Sequence, residues 1–341
     1  MKLLLAGATA AYLRAARDGL DRPPWTILEE PAGATDGQDT ASTIASLIAQ
    51  ERPDVIYSPV IVGAGLRVAA ARKLLGAGAP PWLTSVGGFD LMPEYQEDDL
   101  ADNVRSALRT ADGLLPFAAC DADRARQLGF GGRVFPIGPP VFEVDISRAP
   151  RAPSPSRARR TIVVDGRHDR LDRGLVALAG LRSISDSLAG YRLIVMNAGP
   201  DVVIAATVLG SDISLPVTFA TAEASTPGAV LAAQSAAACS IRLSLNQQID
   251  WWDVAALIGG ALPILGSGSA VAAWADANFK VEQVDPEDPN EIGAAVKSAI
   301  DGQSVNWQAR ARNAATARRA FGSTRTATLF GYAVRACALG A

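Results

Sequence analysis

Short apolar runs alternate with segments of helical pattern along most of the chain, and this alternation constrains the fold more than any other feature. In the first half it predicts strands at Lys2–Ala6, Thr26–Leu28, Asp54–Ser58, Trp82–Val86, Gly113–Phe117 and Val134–Ile137. Helices are predicted between them at Thr40–Glu51, Gly65–Leu75, Leu100–Thr110 and Asp121–Leu128. Short buried strands separated by helices predict βαβ units and a parallel sheet.

A segment rich in Pro, Ser and Arg, Ser147 to Arg157, interrupts the alternation. It has no apolar period and is predicted to be a linker, its arginines solvated or, as the alternative, in contact with phosphate. The alternation then restarts with predicted strands Thr161–Val164, Arg192–Met196, Val217–Ala220, Ser240–Leu243, Leu262–Leu265 and Lys280–Val284. The helices predicted there are Gly174–Ala189, Ala224–Ala238, Trp251–Gly259 and Glu291–Ile300.

The length of 341 residues predicts two domains, because one hydrophobic core rarely grows that large. We expect an N-terminal Rossmann-like domain over 1–145, a linker over 146–160 and a C-terminal Rossmann-like domain over 161–310. Residues 311–341 are predicted to be helices that pack on the N-terminal domain; a membrane-surface helix is the alternative for this arginine-rich tail. Two doubly wound α/β domains are expected to face a central cleft at the carboxyl ends of their strands.

Charge and cysteine usage narrow the classes of function. The net charge of −3 gives no general attraction to nucleic acid. Three widely spaced cysteines and a single histidine exclude the usual zinc clusters, so no metal is predicted, and they fit a reducing compartment. The apolar run at the N-terminus breaks at Gly7, too early for a signal peptide, and no run reaches membrane-spanning length. A soluble, cytoplasmic protein is expected.

The turn after the first strand of the second half carries a glycine and two arginines: Gly166, Arg167 and Arg173. A glycine lets the backbone approach a ligand, and the N-terminus of the following helix offers free N–H groups. This pattern predicts a pyrophosphate cradle, although Arg173 as a surface cap is the structural alternative. His168 in the same turn either adds a hydrogen bond to the ligand or is simply exposed.

Further motifs follow in order. Arg173 to Leu178 reads R-G-L-V-A-L, Ser244 ends a predicted strand, and Gln247 and Ala255 are followed by G-A-L-P-I at 260–264. Here the chain resembles glycosyltransferase family 4, retaining enzymes of the GT-B fold whose motif reads S-x-x-D/E-x7-E-A-M-A-x-G-x-x-P-I. The resemblance extends over about residues 50–320 through Ala111 to Gly113, Cys120 to Phe130 and Val284 to Ile300.

The resemblance implies roles for individual residues. Gln247 replaces the first motif acid, as a catalytic residue that can hydrogen-bond the donor sugar, whereas Ala255 replaces the second and cannot hold a ribose diol. Ser244 belongs to the same donor-binding motif. A third acid of such proteins is replaced by Ala273. Asp250 and Asp253 either substitute for these acids or cap a helix.

Two residues of the first half complete the predicted site. Asp90, in the turn Gly87 to Asp90, resembles the acceptor-side turn of the family; it either orients an acceptor hydroxyl as a catalytic residue or bonds its own turn. Gly7 is a predicted point of close approach to the donor phosphates, with an ordinary strand-ending turn as the alternative.

The resemblance implies a metal-independent retaining glycosyltransferase that moves a sugar from a nucleotide-diphosphate donor to a glycan or lipid-linked glycan in cell-envelope polysaccharide synthesis. Arg167 and Arg173 would neutralise the leaving diphosphate, and no cofactor is expected beyond the nucleotide-sugar substrate. The alternative is a non-catalytic GT-B binding or assembly subunit with a protein partner, which the replaced acids favour. An epimerase or phosphorylase of this fold is less favoured. Peripheral contact with the inner face of the membrane is left open; nucleic acid is not an expected partner.

Overall fold

Two parallel six-stranded sheets organise the chain in a computed structural model. The structure describes residues 1–7, 9–20, 25–30, 38–136, 146, 159–221, 223–246, 248–271 and 279–340. The chain forms two compact units: residues 1–143 with 323–341, and residues 144–322. The predicted linker lies mostly outside the described residues. In the described part of the chain, helices lie between most successive strands of both sheets, which confirms the predicted doubly wound α/β architecture.

The first unit holds a sheet of order β2-β1-β3-β4-β5-β6. Its strands are β1 (Lys2–Leu5), β2 (Thr26–Glu29), β3 (Val55–Ser58), β4 (Trp82–Val86), β5 (Gly113–Pro116) and β6 (Arg133–Val134). Its helices before the second unit are α1 (Ala10–Gly19), α2 (Gln38–Glu51), α3 (Leu66–Leu75), α4 (Asp98–Thr110) and α5 (Ala119–Gln127). Alternate strand residues enter different cores: Leu4 and Ile56 pack with α2 to α4, and Leu3 and Tyr57 pack on the opposite face.

The second unit holds a sheet of order β12-β11-β10-β7-β8-β9. Its strands are β7 (Thr161–Asp165), β8 (Arg192–Met196), β9 (Val217–Ala220), β10 (Cys239–Arg242), β11 (Leu262–Gly266) and β12 (Glu282–Val284). Its helices are α6 (Gly174–Ser183), α7 (Pro200–Asp212), α8 (Pro227–Ala236), α9 (Trp251–Gly259), α10 (Pro289–Asp301) and α11 (Gln303–Ala320). β7 lies between β10 and β8, so residues that follow it sit near the middle of the carboxyl edge.

The helix α12 (Ser323–Ala338) returns to the first unit and packs closely on α1. Gly19 and Gly331 permit this crossing, because a Cβ on Gly331 would lie 2.0 Å from the carbonyl oxygen of Gly19. Phe330 meets Tyr57 edge to face at 4.8 Å between ring centroids. Residues 311–341 do not form the single packing unit that the sequence predicts, because α11 belongs to the second unit and only α12 to the first.

Several predicted boundaries are wrong in ways that local chemistry explains. α6 ends at Ser183 rather than Ala189, where a serine-rich stretch follows and the Ser183 hydroxyl bonds back to the carbonyl of Gly180. α8 begins at Pro227 rather than Ala224, because the Thr226 side chain caps it by accepting from the N–H of Ala229. β12 is shorter than predicted, and residue 137 of the predicted sixth strand lies outside the described residues.

Across the residues that the structure describes, no helix combines the length and the apolar character needed to cross a bilayer.

Candidate functional site

The turn after β7 lies at the carboxyl edge of the second sheet, and two glycines allow it to fold tightly. A Cβ on Gly166 would lie 2.8 Å from Cγ1 of Val195 on the neighbouring strand. A Cβ on Gly174, the first residue of α6, would lie 2.7 Å from the carbonyl oxygen of Arg167. The N–H of Gly174 donates to that same carbonyl at 2.9 Å, so the turn closes on itself at the start of the helix. The predicted glycine turn is therefore present; its ligand is still a prediction.

Arg167 is held inside the turn by carboxylates. Its guanidinium pairs with Asp165, lies 3.2 Å from Asp250 and lies 3.9 Å from Asp172. Burial opposes the charge of Arg167, but these carboxylates outweigh it and raise the pKa of the guanidinium further. The side chain is 35% exposed, so it is neither turned out into solvent nor sealed in the core.

Arg173 is also paired; its own side chain is 18% exposed, but its partner lies at the surface. Its Nε donates to Glu287, whose side chain is 56% exposed, and its Nη1 donates to the carbonyl of Asp169 at 3.1 Å. Arg167 and Arg173 thus belong to one turn but bind different carboxylates. Solvent weakens the pairing with Glu287, which is more than half exposed, whereas the Asp165 partner of Arg167 is buried. Arg173 can therefore exchange its carboxylate for an incoming anion at lower cost than Arg167 can.

Arg242, at the end of β10, organises this edge and is not among the predicted site residues. Its side chain is only 3% exposed and lies 2.7 Å from Asp253, 3.4 Å from Asp250 and 3.8 Å from Asp165. An arginine inside an otherwise buried strand is the sequence signal that identifies such a residue, since a charge is rarely buried without a partner. Arg242 fixes the first turn of α9 against the strand that precedes it.

The carboxylates of this cluster differ in the direction of their pKa shifts. Burial raises the pKa of Asp253 to about 6, against the opposing effect of Arg242. Burial also opposes ionisation of Asp250, but Arg242 and Arg167 outweigh it and lower its pKa. Burial raises the pKa of Asp172 as well. Arg242 and Arg167 therefore stay charged at neutral pH and hold Asp250 ionised between them.

Asp250 and Asp253 have different structural roles. Asp250 is the N-cap of α9 and accepts from the N–H of Trp252 at 3.0 Å, which confirms the capping alternative for this residue. Asp253 is fully buried, pairs with Arg242 and also accepts a hydrogen bond from the backbone N–H of Asp250 at the start of the helix. Neither arrangement leaves a carboxylate without a positive partner.

The other residues predicted for the site differ in their exposure to solvent. Ser244 is buried, and its hydroxyl hydrogen-bonds Asp172, which an isolated β-bridge also joins to Ser244. Ala255 is fully buried within α9 and presents no surface to a ligand. His168 is exposed in the turn, and its backbone forms an isolated antiparallel β-bridge with Arg173. Gln247, Ala273 and Trp274 lie outside the described residues.

In the first unit, Gly7 and Asp90 both contact the turn Ile61–Gly65, which follows β3. Gly7 has a φ of +65°, and a Cβ there would lie 2.6 Å from the Cβ of Ala64. Its N–H donates to Glu30 at 2.7 Å. A side chain at Gly7 would therefore be strained by both backbone and contact, which fits close packing at the strand end as well as close approach of a ligand.

Asp90 accepts hydrogen bonds from the backbone of this other turn rather than from its own. Its carboxylate receives the N–H of Ile61 at 3.1 Å and the N–H of Val62 at 3.0 Å. Burial raises the pKa of Asp90 to about 6, although both N–H groups lower it. Of the two alternatives for Asp90, a bond to its own turn is wrong, since Asp90 holds a neighbouring loop at the carboxyl edge of the first sheet; a role toward an acceptor hydroxyl stays a prediction.

Among the described residues, no group of three or more His, Cys, Asp and Glu side chains is arranged to hold a metal ion. The groups described at the second-sheet edge are guanidinium groups, carboxylates and the backbone N–H groups at the start of α6.

Comparison with known proteins identifies the fold. No protein-family model matches the sequence, and no curated protein matches it either. Among solved structures, HepE of Anabaena in complex with UDP and glucose is 14% identical at a TM-score of 0.73, covering 98% of this chain and 100% of that one. Sucrose-phosphate synthase from Thermosynechococcus elongatus is 13% identical at 0.74, covering 100% and 99%.

The lipopolysaccharide outer core galactosyltransferase WaaB, in its apo form, is 11% identical at a TM-score of 0.66 and covers 98% of this chain and 99% of that one. These neighbours are GT-B glycosyltransferases, and the match spans both units. The chain therefore has the two-domain α/β GT-B fold that the sequence resemblance implied.

Proposed function

We propose that this chain is a glycosyltransferase that takes a sugar from a nucleotide-diphosphate donor. The observation that supports this most is a likeness over nearly the whole of both chains to HepE, which binds UDP and UDP-glucose. The second is the glycine turn with Arg167 and Arg173 at the carboxyl edge of the second sheet. Open α/β sheets bind their ligands at this edge, and helix N-termini such as that of α6 favour phosphate.

In this proposal the donor diphosphate lies at the start of α6 and takes the place of the carboxylate bound to Arg173. Arg173 gives up only the exposed Glu287, whereas Arg167 must leave the buried Asp165. Release of an exposed partner costs about 1 kcal/mol or less, so Arg173 makes the direct phosphate contact. Arg167 stays paired and adds positive charge that stabilises the leaving group without a metal.

The finer assignments follow the family 4 resemblance. We propose transfer with retention of configuration to a glycan or lipid-linked glycan for cell-envelope polysaccharide, at the cytoplasmic side of the membrane. Gln247 then hydrogen-bonds the donor sugar in place of the first motif acid, and Ser244 belongs to the same donor-binding motif. Asp90 acts on the acceptor side by holding the Ile61–Gly65 turn, and Gly7 keeps the end of β1 open for the donor.

A second candidate function, a non-catalytic GT-B binding subunit with a protein partner, is favoured by one specific observation. Arg167, Arg173 and Arg242 lie among Asp165, Asp172, Asp250, Asp253 and Glu287, so this edge is already neutralised by the chain's own carboxylates. The full burial of Ala255 adds to this, because that position cannot bind a ribose.

Titration calorimetry with UDP, GDP, ADP and dTDP tests donor binding directly. We expect one diphosphate to bind, and Arg173→Ala to weaken it by about 10- to 100-fold, as for loss of a charged hydrogen bond. Arg182→Ala is the control, since Arg182 on α6 also pairs with a partly exposed carboxylate, Asp212, but is itself more exposed than Arg173. Absence of binding by all four would exclude the donor site.

Turnover separates the two candidates once a diphosphate binds. The corresponding nucleotide-sugar is incubated with the protein, and release of the diphosphate is followed with and without glycan acceptors. Acceptor-dependent release supports the transferase, and binding of the diphosphate without any release supports the non-catalytic subunit.

A further inference from the structure

A concavity lies in the second unit, at the edge of the sheet opposite to the candidate donor site. It has a volume of about 750 Å³ and is formed where β7 begins at Thr161 and β8 begins at Arg192, next to Tyr191. The candidate donor site is at the carboxyl ends of these strands, at Asp165 and beyond. The two sites therefore occupy different ends of β7, and a ligand in one does not touch the residues of the other.

Three arginines line this concavity: Arg159, Arg160 and Arg192. None of the described lining residues is acidic, and no described carboxylate forms an ion pair with any of the three. This concentration of positive charge is local, because the chain as a whole has 35 acidic residues against 32 basic ones. An uncompensated group of guanidiniums around a concavity attracts anions.

Arg159 provides a fixed charge at the base of the group. Its Nη1 donates to the carbonyl of Ala237 at 2.8 Å and its Nη2 to the carbonyl of Gly259 at 3.1 Å, at the ends of α8 and α9. Burial and the nearby charge of Arg310 lower the pKa of Arg159 to about 10. Like charges thus face each other here, and a bound anion would relieve this repulsion.

Arg160 and Arg192 supply the available donors. Arg192 uses its Nε for the hydroxyl of Thr161 at 2.8 Å, and its terminal nitrogens donate to no described residue. Arg160 lies over the ring of Tyr191, 5.0 Å from the ring centroid, and likewise donates to no described side chain or carbonyl. Stacking uses the face of a guanidinium and leaves its in-plane N–H groups available, the geometry that suits phosphate oxygens.

We propose that the concavity formed by Arg159, Arg160 and Arg192 is a second anion site that binds a phosphoryl group. Arg160 and Arg192 donate to the phosphoryl oxygens, and Arg159 contributes charge from its fixed position. The phosphoryl group belongs either to a free phosphorylated molecule or to a lipid headgroup. This inference does not depend on the proposed donor site.

Calorimetry with pyrophosphate and cosedimentation with vesicles test the proposal on the full chain. The key variant is the double substitution Arg160→Gln and Arg192→Gln, because both side chains are exposed and neither caps a helix. We expect it to weaken pyrophosphate binding by about 10-fold or more. Binding of the wild type should also weaken at high ionic strength, as for any exposed charge contact.

The vesicle arm distinguishes the two sources of the phosphoryl group. Phosphatidylglycerol–phosphatidylcholine vesicles are compared with phosphatidylcholine alone. Retention on the anionic vesicles that the double variant loses identifies a lipid headgroup, and arginine-dependent binding of pyrophosphate alone identifies a free phosphorylated ligand.

Two controls keep this result separate from the donor site. Arg173→Ala should leave the Arg160- and Arg192-dependent binding unchanged, and the double variant should keep its affinity for any nucleoside diphosphate within about twofold. Arg182→Gln, on an exposed arginine elsewhere in the unit, should have no effect on either ligand. The proposal is overturned if neither pyrophosphate nor anionic vesicles bind, or if the double variant binds both as the wild type does.

Discussion

The guanidinium of Arg242 lies 2.7 Å from the carboxylate of Asp253, with exposed side-chain fractions of 3% and 0%. Arg242→Met leaves Asp253 buried without its counter-ion, so we expect a loss of about 3–5 kcal/mol in the free energy of unfolding. Urea unfolding measures this loss in free energy.

Adding Asp253→Asn to the Arg242→Met chain should recover part of the loss. Arg182→Met, which breaks an exposed pair, should cost less than about 1 kcal/mol; equal losses in the two arginine variants would contradict the structural role given to Arg242.

Glu287→Gln tests whether Glu287 competes with a bound anion for Arg173. The substitution removes the exposed partner of Arg173, so the arginine no longer has to leave a carboxylate to reach a diphosphate. We expect affinity for the bound nucleoside diphosphate to rise about two- to fivefold, with stability changed by less than about 1 kcal/mol. Asp212→Asn is the control on a similar pair. A fall in affinity would mean that Glu287 itself contributes to binding.

Asp121, at the start of α5, should make the first unit sensitive to pH. Burial raises the pKa of Asp121 from 3.8 to about 7, while its carboxylate accepts the N–H of Ala118 at 2.7 Å. The native state then keeps a proton that the unfolded chain has released. The contribution of Asp121 to stability is complete below about pH 4 and is lost as the pH rises to about 7.

Asp121→Asn keeps the acceptor for Ala118 but cannot ionise. We expect its free energy of unfolding, measured in urea at pH 5 and pH 8, to fall less with rising pH than that of the wild type. The control is Asp123→Asn on the same helix, where the carboxylate is 73% exposed. Identical pH slopes for the wild type and Asp121→Asn would refute the assignment.

Gly331→Ala tests the crossing of α1 and α12. A Cβ at Gly331 would lie 2.0 Å from a backbone oxygen of Gly19, which can move only if the helices separate. We expect a loss of about 2 kcal/mol or more in the free energy of unfolding. Gly228→Ala in α8 is the control, because a Cβ there meets nothing within 4 Å; it should be neutral or stabilising by up to about 1 kcal/mol. Similar costs at both glycines would argue against the close crossing.

The strands could be predicted closely because continuous apolar runs identify them without knowledge of their partners. β4 and β8 begin and end at the residues predicted, Trp82–Val86 and Arg192–Met196. Helix ends were less accurate, since they depend on side-chain caps such as Thr226. The glycine turn at Gly166 was also found from sequence, because a strand, a glycine and a helix start leave a local pattern.

The electrostatic partners at that turn could not be found in the same way. Arg242 pairs with Asp253 across a strand–helix connection, and Arg173 pairs with Glu287 more than a hundred residues away. Such pairings depend on which strands are neighbours in the sheet. Sequence spacing therefore predicts the turn but not the carboxylates that form ion pairs with its arginines.

The contact of Tyr57 with Phe330 has a consequence for synthesis of the chain. The face of the first sheet that includes Leu3 and Tyr57 is covered in part by α12, which the ribosome makes only after all of residues 144–322. The second unit is contiguous and can fold as it emerges, whereas the first keeps an uncovered apolar face until Phe330 has been translated. The nascent chain therefore offers chaperones a binding surface for as long as the second unit takes to be synthesised.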